Sequence, residues 1–261
     1  MGRGFCLLSL LAGASLISMP TARALPVTEQ IDRFELNWST MRIRFYGEAT
    51  VDFAQKGFEG AEKVATDEGL MYVLSSLNKV RNQKGLKDNS NSAIAHEVTK
   101  QAFVYNTVYF TDGRIRVELD SSLPKAFDAG LSDFLAEEPQ SQATGDASAV
   151  ILQITGLKGP LLQTEIRSTD GELLYSHKNI AKSAYKKQLA GRWFFKNSLE
   201  LKSYAGTNPV MIDAVAEGDK GLVVMKDQWN KLKAEHPRLL EEAKLAFVIP
   251  GPAKGSSKGN M

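Results

Sequence analysis

The chain has 261 residues, of which 43% are hydrophobic, 24% charged and 8% aromatic, a balance that excludes a disordered or fibrous protein. Its 32 Lys and Arg stand against 30 Asp and Glu; without Arg3 and Arg23, which lie in the leader read below, 30 basic residues face 30 acidic ones. That zero balance argues against nucleic acid as the main partner, because phosphate binding draws on a surplus of Lys and Arg, and a single Cys excludes both an intramolecular disulfide and a cysteine-ligated zinc site.

Residues 1–24 read as a secretory signal peptide. Arg3 gives a positive start, Phe5 to Met19 an apolar stretch, Pro20 a break, and Ala22-Arg23-Ala24 a small-x-small cleavage site. The apolar run is shorter than the roughly 20 residues a membrane span needs. Cys6 lies at its start without the small-residue box of a lipid-anchor site. Cleavage after Ala24 leaves no Cys in the mature chain, which suits an oxidising compartment. No later stretch is long and apolar enough to span a membrane.

A first domain is expected over 25–138. Met41, Ile43 and Phe45 alternate with Arg42, Arg44 and Tyr46, the period of a half-buried strand. Gly47 to Gly60 reads as loop and helix start. Residues 58–82 read as a helix facing a sheet through Ala61, Val64, Ala65, Met71, Leu74 and Leu77, with Gly69 as a weak point. A polar loop from Asn82 to Asn91 leads to a short helix through Ile94 and Val98. Then Val104 to Thr111 and Arg114 to Asp120 flank Asp112-Gly113, the pair favoured in a two-residue type I′ turn. Such a turn sets Phe110 against Ile115 and Val108 against Val117, and puts Tyr105, Tyr109 and Arg116 on the opposite surface. Residues 123–135 read as an amphipathic helix through Leu123, Phe127, Leu131 and Phe134.

Residues 136–148 have linker composition, and a boundary is placed near 140. A second domain is expected over 148–250. It has strands at Val150–Thr155, Leu161–Arg167 and Glu172–His177, the last two flanking Asp170-Gly171. A helix near Ile180–Leu189 follows, then strands at Pro209–Val215 and Leu222–Met225. A helix over 227–243 broken at Pro237 precedes a closing strand Lys244–Ile249. Residues 251–261 read as a disordered tail. The expected class is α+β: two small domains, each an antiparallel sheet with helices packed on one face.

The residue types of catalysis are present but not arranged. His96, His177 and His236 are far apart in sequence, so no two share a helix face as metal ligands. Asp67-Glu68, Glu137-Glu138 and Glu241-Glu242 are helix-face neighbours about 100° apart. Gly255-Ser256-Ser257-Lys258-Gly259 matches G-x-S-x-G without the strand and helix its chemistry needs. No catalytic residue, cofactor or metal is therefore expected. Two candidate protein-contact surfaces remain: Tyr105, Tyr109 and Arg116 on the hairpin, and Arg192 with Trp193 in the run Arg192-Trp193-Phe194-Phe195.

Several segments in order carry a family resemblance. They are the strand ending Phe45-Tyr46-Gly47, the alanine-bearing helix into Leu74, Leu77 and Val80-Arg81, and the hairpin from Tyr109 to Val117. Thr155-Gly156-Leu157, Asn208-Pro209-Val210, Gly221 to Val224 and the closing Leu245 to Pro250 extend it over most of 36–250. The pattern resembles the bacterial envelope proteins related to FlgP, to the N-terminal domain of FlgT and to the Helicobacter-type membrane-associated lipoproteins. The resemblance implies a non-enzymatic periplasmic or outer-membrane-associated structural or assembly protein, with flagellar assembly among its roles. It also implies self-association and envelope or flagellar proteins as partners. The chain lacks the lipid-attachment Cys of the lipoprotein members. The alternative is a periplasmic small-ligand-binding protein or enzyme with its site between the two domains.

Overall fold

The computed structural model describes residues 25–54, 56–83, 97–127, 131, 133–143, 145–218 and 221–251. The leader with Cys6, the loop from 84 to 91, Ile94, His96 and the tail from 252 onward, with its G-x-S-x-G match, lie outside the described residues. No helix among the described residues is long and apolar enough to cross a membrane.

Strands β1 (Thr28–Ile31), β2 (Phe34–Asn37) and β3 (Arg42–Thr50) form an antiparallel meander. Ile43 and Phe45 point inward and Arg44 outward, as their alternation requires. β3 runs on through Gly47, which the sequence reading placed in a loop. The reason lies in helix α1 (Gly57–Gln83), which crosses the sheet with Ala61, Ala65, Gly69, Val73 and Leu77 at successive i+4 steps. A Cβ on Gly47 would stand 1.9 Å from the Ala65 carbonyl oxygen and 2.4 Å from Gly69 N. Gly47 and Gly69 are thus the point of closest approach between strand and helix. The expected weak point of the helix is where it docks. Val64 and Met71, expected inward, are exposed because they lie off this i+4 stripe.

β4 (Phe103–Tyr109) and β5 (Arg114–Ser122) complete the first sheet, in the order β1-β2-β3-β5-β4. The hairpin does form at Asp112-Gly113, but its loop has three residues. Phe110 N donates to the Arg114 carbonyl at 2.9 Å, Gly113 N to the Phe110 carbonyl at 3.1 Å, and Gly113 has φ +84°. This is a type I turn closed by a left-handed glycine. One extra loop residue slips the register by one, so Tyr109 faces Ile115 and Val108 faces Arg116. Asp170-Gly171 repeats the device. Ser168 N donates to the Glu172 carbonyl and Gly171 N to the Ser168 carbonyl, each at 2.9 Å, between β7 (Ile166–Ser168) and β8 (Leu173–Tyr175).

The expected helix over 123–135 is a single turn, α2 (Leu123–Ala126). Asp133 has φ 63°, and Phe134 packs from irregular chain against Tyr185, with ring centroids 5.2 Å apart. The segment expected as a linker is pinned. The Glu241 carboxylate accepts from Gln140 N, Ser141 N and Ser141 Oγ at 2.6–2.8 Å, and Lys182 N donates to the Ala136 carbonyl at 2.8 Å.

The second sheet has the order β8-β7-β11-β10-β6-β12-β9. Its remaining strands are β6 (Val150–Thr155), β9 (Arg192–Phe195), β10 (Val210–Ala216), β11 (Leu222–Val224) and β12 (Leu245–Ile249). The α+β class holds, but this sheet is mixed. β6 pairs with β10 and β12 in parallel, β12 with β9 in parallel, and β7 with β11 in parallel. The expected antiparallel sheet is corrected by β12, whose Leu-Ala-Phe-Val-Ile run is buried throughout, as a strand covered on both faces must be. Helix α3 (Lys182–Gln188), α5 (Lys226–Glu235) and α6 (Pro237–Glu241) belong to the larger core, with Val150, Leu152 and Ile154. Ile151 points the other way, into a smaller cluster with Leu201 and Ala205 of α4 (Leu199–Ala205), so helices cover both faces here.

Within a core that both sheets share, a hydrogen-bonded bolt ties them together. Ser39 Oγ donates to the Trp193 carbonyl at 2.7 Å and accepts from Val27 N at 2.9 Å, while Trp193 N donates to the Trp38 carbonyl at 3.2 Å. Trp38, fully buried, stacks on Phe127 with centroids 6.0 Å apart.

Gly47→Ala is expected to cost about 2–3 kcal/mol, since backbone on both sides blocks the new methyl. Gly159→Ala, with no atom within 4 Å of its Cβ position, is expected to be neutral in the same urea titration. A second expectation concerns acid. Burial disfavours the Glu241 charge, but the Ser141 and Gln140 hydrogen bonds and nearby Arg238 outweigh it and hold the carboxyl below the usual range. That stabilisation is complete above the ordinary glutamate value and is lost as pH falls through the lowered one. Glu241→Gln therefore costs about 1–3 kcal/mol at neutral pH, and the gap to wild type narrows near pH 3.

Candidate functional site

The first sheet turns two faces to different uses. On the face away from α1, charged and aromatic side chains form cross-strand rows. Glu35, Arg44, Asp120 and Phe103 occupy one row, and Glu48, Arg116 and Val108 another. Asp120 is buried and accepts from Arg42 Nε and from Arg44 Nε, the latter at 3.1 Å. The Arg42 guanidinium lies 5.4 Å from the Phe103 ring centre and that of Arg44 5.0 Å from Tyr105. Arg116 donates through Nε and Nη2 to one Glu48 oxygen at 2.8 and 2.7 Å, and stands 4.2 Å over the Tyr46 ring. The arginines on this face are therefore tied down. Burial, then Glu118, pushes the Tyr105 phenol up, so it stays neutral.

The register slip separates residues that the sequence reading grouped. Tyr105 and Arg116 lie on the outer face, but Tyr109 lies on the helix side and donates to Glu62 Oε1 at 2.5 Å. Its ring meets Phe58 edge-on at 5.9 Å, and Phe58 meets Phe53 edge-on at 5.5 Å. Phe53, Phe58 and Tyr109 are 77%, 50% and 56% exposed. This trio caps one end of the first lobe. It adjoins β4, which among the described residues pairs only with β5 and leaves Phe103, Val104 and Tyr105 exposed. Sequence reasoning passed over Phe53, in the loop after β3, and Phe58, in the first turn of α1, because no periodicity marks them.

Arg192 and Trp193 do not form a surface together. Both faces of β9 are covered. Trp193 is 2% exposed and packs 4.8 Å from Phe247, so its expected role at a contact surface is corrected to core. Arg192 points to the α4 side, into an open cleft of about 600 Å³. The cleft is walled by Ser39 and Thr40 of the first lobe and by Gln188, Glu200, Tyr204 and Lys244 of the second. Among the described residues no three His, Cys, Asp or Glu side chains converge to hold a metal ion.

No model of a known protein family and no curated protein matches the chain.

Asp120→Ala is expected to cost about 2 kcal/mol, since two charge-assisted hydrogen bonds are lost. Amide exchange in β4 should quicken with it, because the arginines that brace Phe103 and Tyr105 are released; unchanged β4 exchange would refute that bracing role.

Proposed function

We propose that this is a non-enzymatic envelope protein, exported to the periplasm and associated with the outer membrane, that works by binding other proteins. The observation that supports this reading is the exposed trio Phe53, Phe58 and Tyr109 beside the open edge of β4. Three aromatic rings, with Phe58 touching both Phe53 and Tyr109, expose apolar area that a protein acting alone has reason to bury. Aromatic residues are enriched at the centres of protein interfaces, where they supply large contact area for little lost side-chain freedom. The adjoining strand β4, an edge among the described residues, offers backbone donors and acceptors to an incoming segment.

The bacterial envelope resemblance over 36–250 points the same way and adds flagellar assembly as the setting and self-association as the mode. The interface chemistry is apolar and neutral, consistent with the balanced charge of the mature chain.

Capture from envelope extracts tests the reading. The full chain should retain specific partners or itself, and Phe53→Ser/Phe58→Ser/Tyr109→Ser should lose them while keeping its melting temperature within a few degrees. Equal capture by the triple variant contradicts the assigned surface. Deletion of the gene with imaging of basal-body rings tests the setting; intact rings and normal swimming remove the flagellar role.

A further inference from the structure

The cleft at Arg192 holds charge that the fold does not use. The Arg192 guanidinium lies 5.1 Å from the Tyr204 ring centre, and Lys244 Nζ lies 5.2 Å from the same ring. Both cations therefore converge on one aromatic wall. Neither is ion-paired among the described residues, unlike Arg42, Arg44, Arg114 and Arg116, which all have carboxylate partners. Arg192 Nε and Glu200 Oε2 are buried atoms without a hydrogen-bond partner. A buried donor and a buried acceptor left unmet each cost about 1–3 kcal/mol, and these two lie on residues lining one cleft.

The walls are built rather than accidental. The Tyr204 hydroxyl lies 3.1 Å from Gln188 Oε1 and 3.2 Å from the Ala243 carbonyl, and Gln188 Nε2 donates to the Glu242 carbonyl at 2.5 Å. Burial pushes the Tyr204 phenol well up against the opposing effect of Arg192, so it stays a neutral wall. The residues beside Gln188 and Lys244 are strained. Leu189 and Ala243 have φ of 55° and 51°, both buried and neither a glycine. Such residues cost on the order of 1–3 kcal/mol each and cluster at binding sites.

We infer that this cleft binds a small organic carboxylate that also carries a hydroxyl or amino hydrogen-bond donor. Two cations against one carboxylate leave a net single positive charge, which matches a monoanion. The planar guanidinium of Arg192 fits a carboxylate, and Lys244 adds a second point of charge. Glu200 stands in the same cleft as an acceptor, so it selects a ligand that donates and repels a dianion such as phosphate. The volume of about 600 Å³ is that of a small-molecule site. This inference is independent of the protein-contact surface, which lies on other residues.

The test is a titration of the isotope-labelled full chain, followed by the amide shifts of Arg192, Ser203 and Lys244. The probes are gluconate, which has a carboxylate and hydroxyls; hexanoate, the carboxylate alone; sorbitol, the hydroxyls alone; and inorganic phosphate. Gluconate should bind about fivefold or more tighter than hexanoate, with phosphate weaker and sorbitol silent. Arg192→Gln and Lys244→Gln should each weaken gluconate about tenfold without changing the melting temperature, and Glu200→Ala should erase the preference for gluconate over hexanoate. The inference is overturned if gluconate leaves these amides unmoved at tens of millimolar. Phosphate or sorbitol binding as tightly as gluconate, or gluconate binding that survives both charge variants, overturns it equally.

Discussion

The Ser39 hydroxyl is the contact on which the arrangement of this molecule depends. It accepts from Val27 N and donates to the Trp193 carbonyl, so one oxygen ties the start of the first sheet to the last strand of the second. With the Trp193 N–H bonded to the Trp38 carbonyl, it occupies both polar groups of Trp193 on what would otherwise be the free edge of β9. The same bolt seats Trp38 on Phe127 in the shared core. It also brings Thr40 to the rim of the cleft that holds Arg192. Sheet-edge protection and the cleft wall thus draw on one short segment, 38–41, which also helps the shared core to orient the two lobes.

Much of the fold was legible because it is local. Alternation at Met41 to Tyr46 marked β3, Pro237 broke the last helix where it stands, and both Asp-Gly pairs marked hairpins. What failed was decided at a distance or by one residue of turn length. Thr111-Asp112-Gly113 and a two-residue turn share the same signal, yet differ in register, and that difference moved Tyr109 to the helix side. Gly69 lowers helix propensity, and only the approach of Gly47 shows why a glycine belongs there. Residues 136–148 look like a linker because their partners, Glu241 and Lys182, lie far along the chain.

The candidate sites were less legible still. Arg116 and Arg192 look alike in sequence, but Arg116 is held by Glu48 and two aromatic rings, while Arg192 among the described residues has only the Tyr204 face. Exposed ion pairs are worth little, typically below about 1 kcal/mol, so on the outer sheet face the Glu48 pairs serve mainly to order side chains and buried Asp120 carries most of the stability. An unmet buried group costs more than such a pair contributes, and this comparison marks the cleft, more than the charged face, as a place where polar chemistry is incomplete among the described residues. The aromatic trio stands apart from both, an apolar patch joined through space from a loop, a helix start and a strand end.

Calorimetric unfolding of the full chain tests the bolt most directly. If segment 38–41 and the shared core bind the two sheets into one cooperative unit, heating gives a single transition whose calorimetric and van't Hoff enthalpies agree. Two resolved transitions, with the first sheet melting while the Trp193 environment stays intact, would contradict the account.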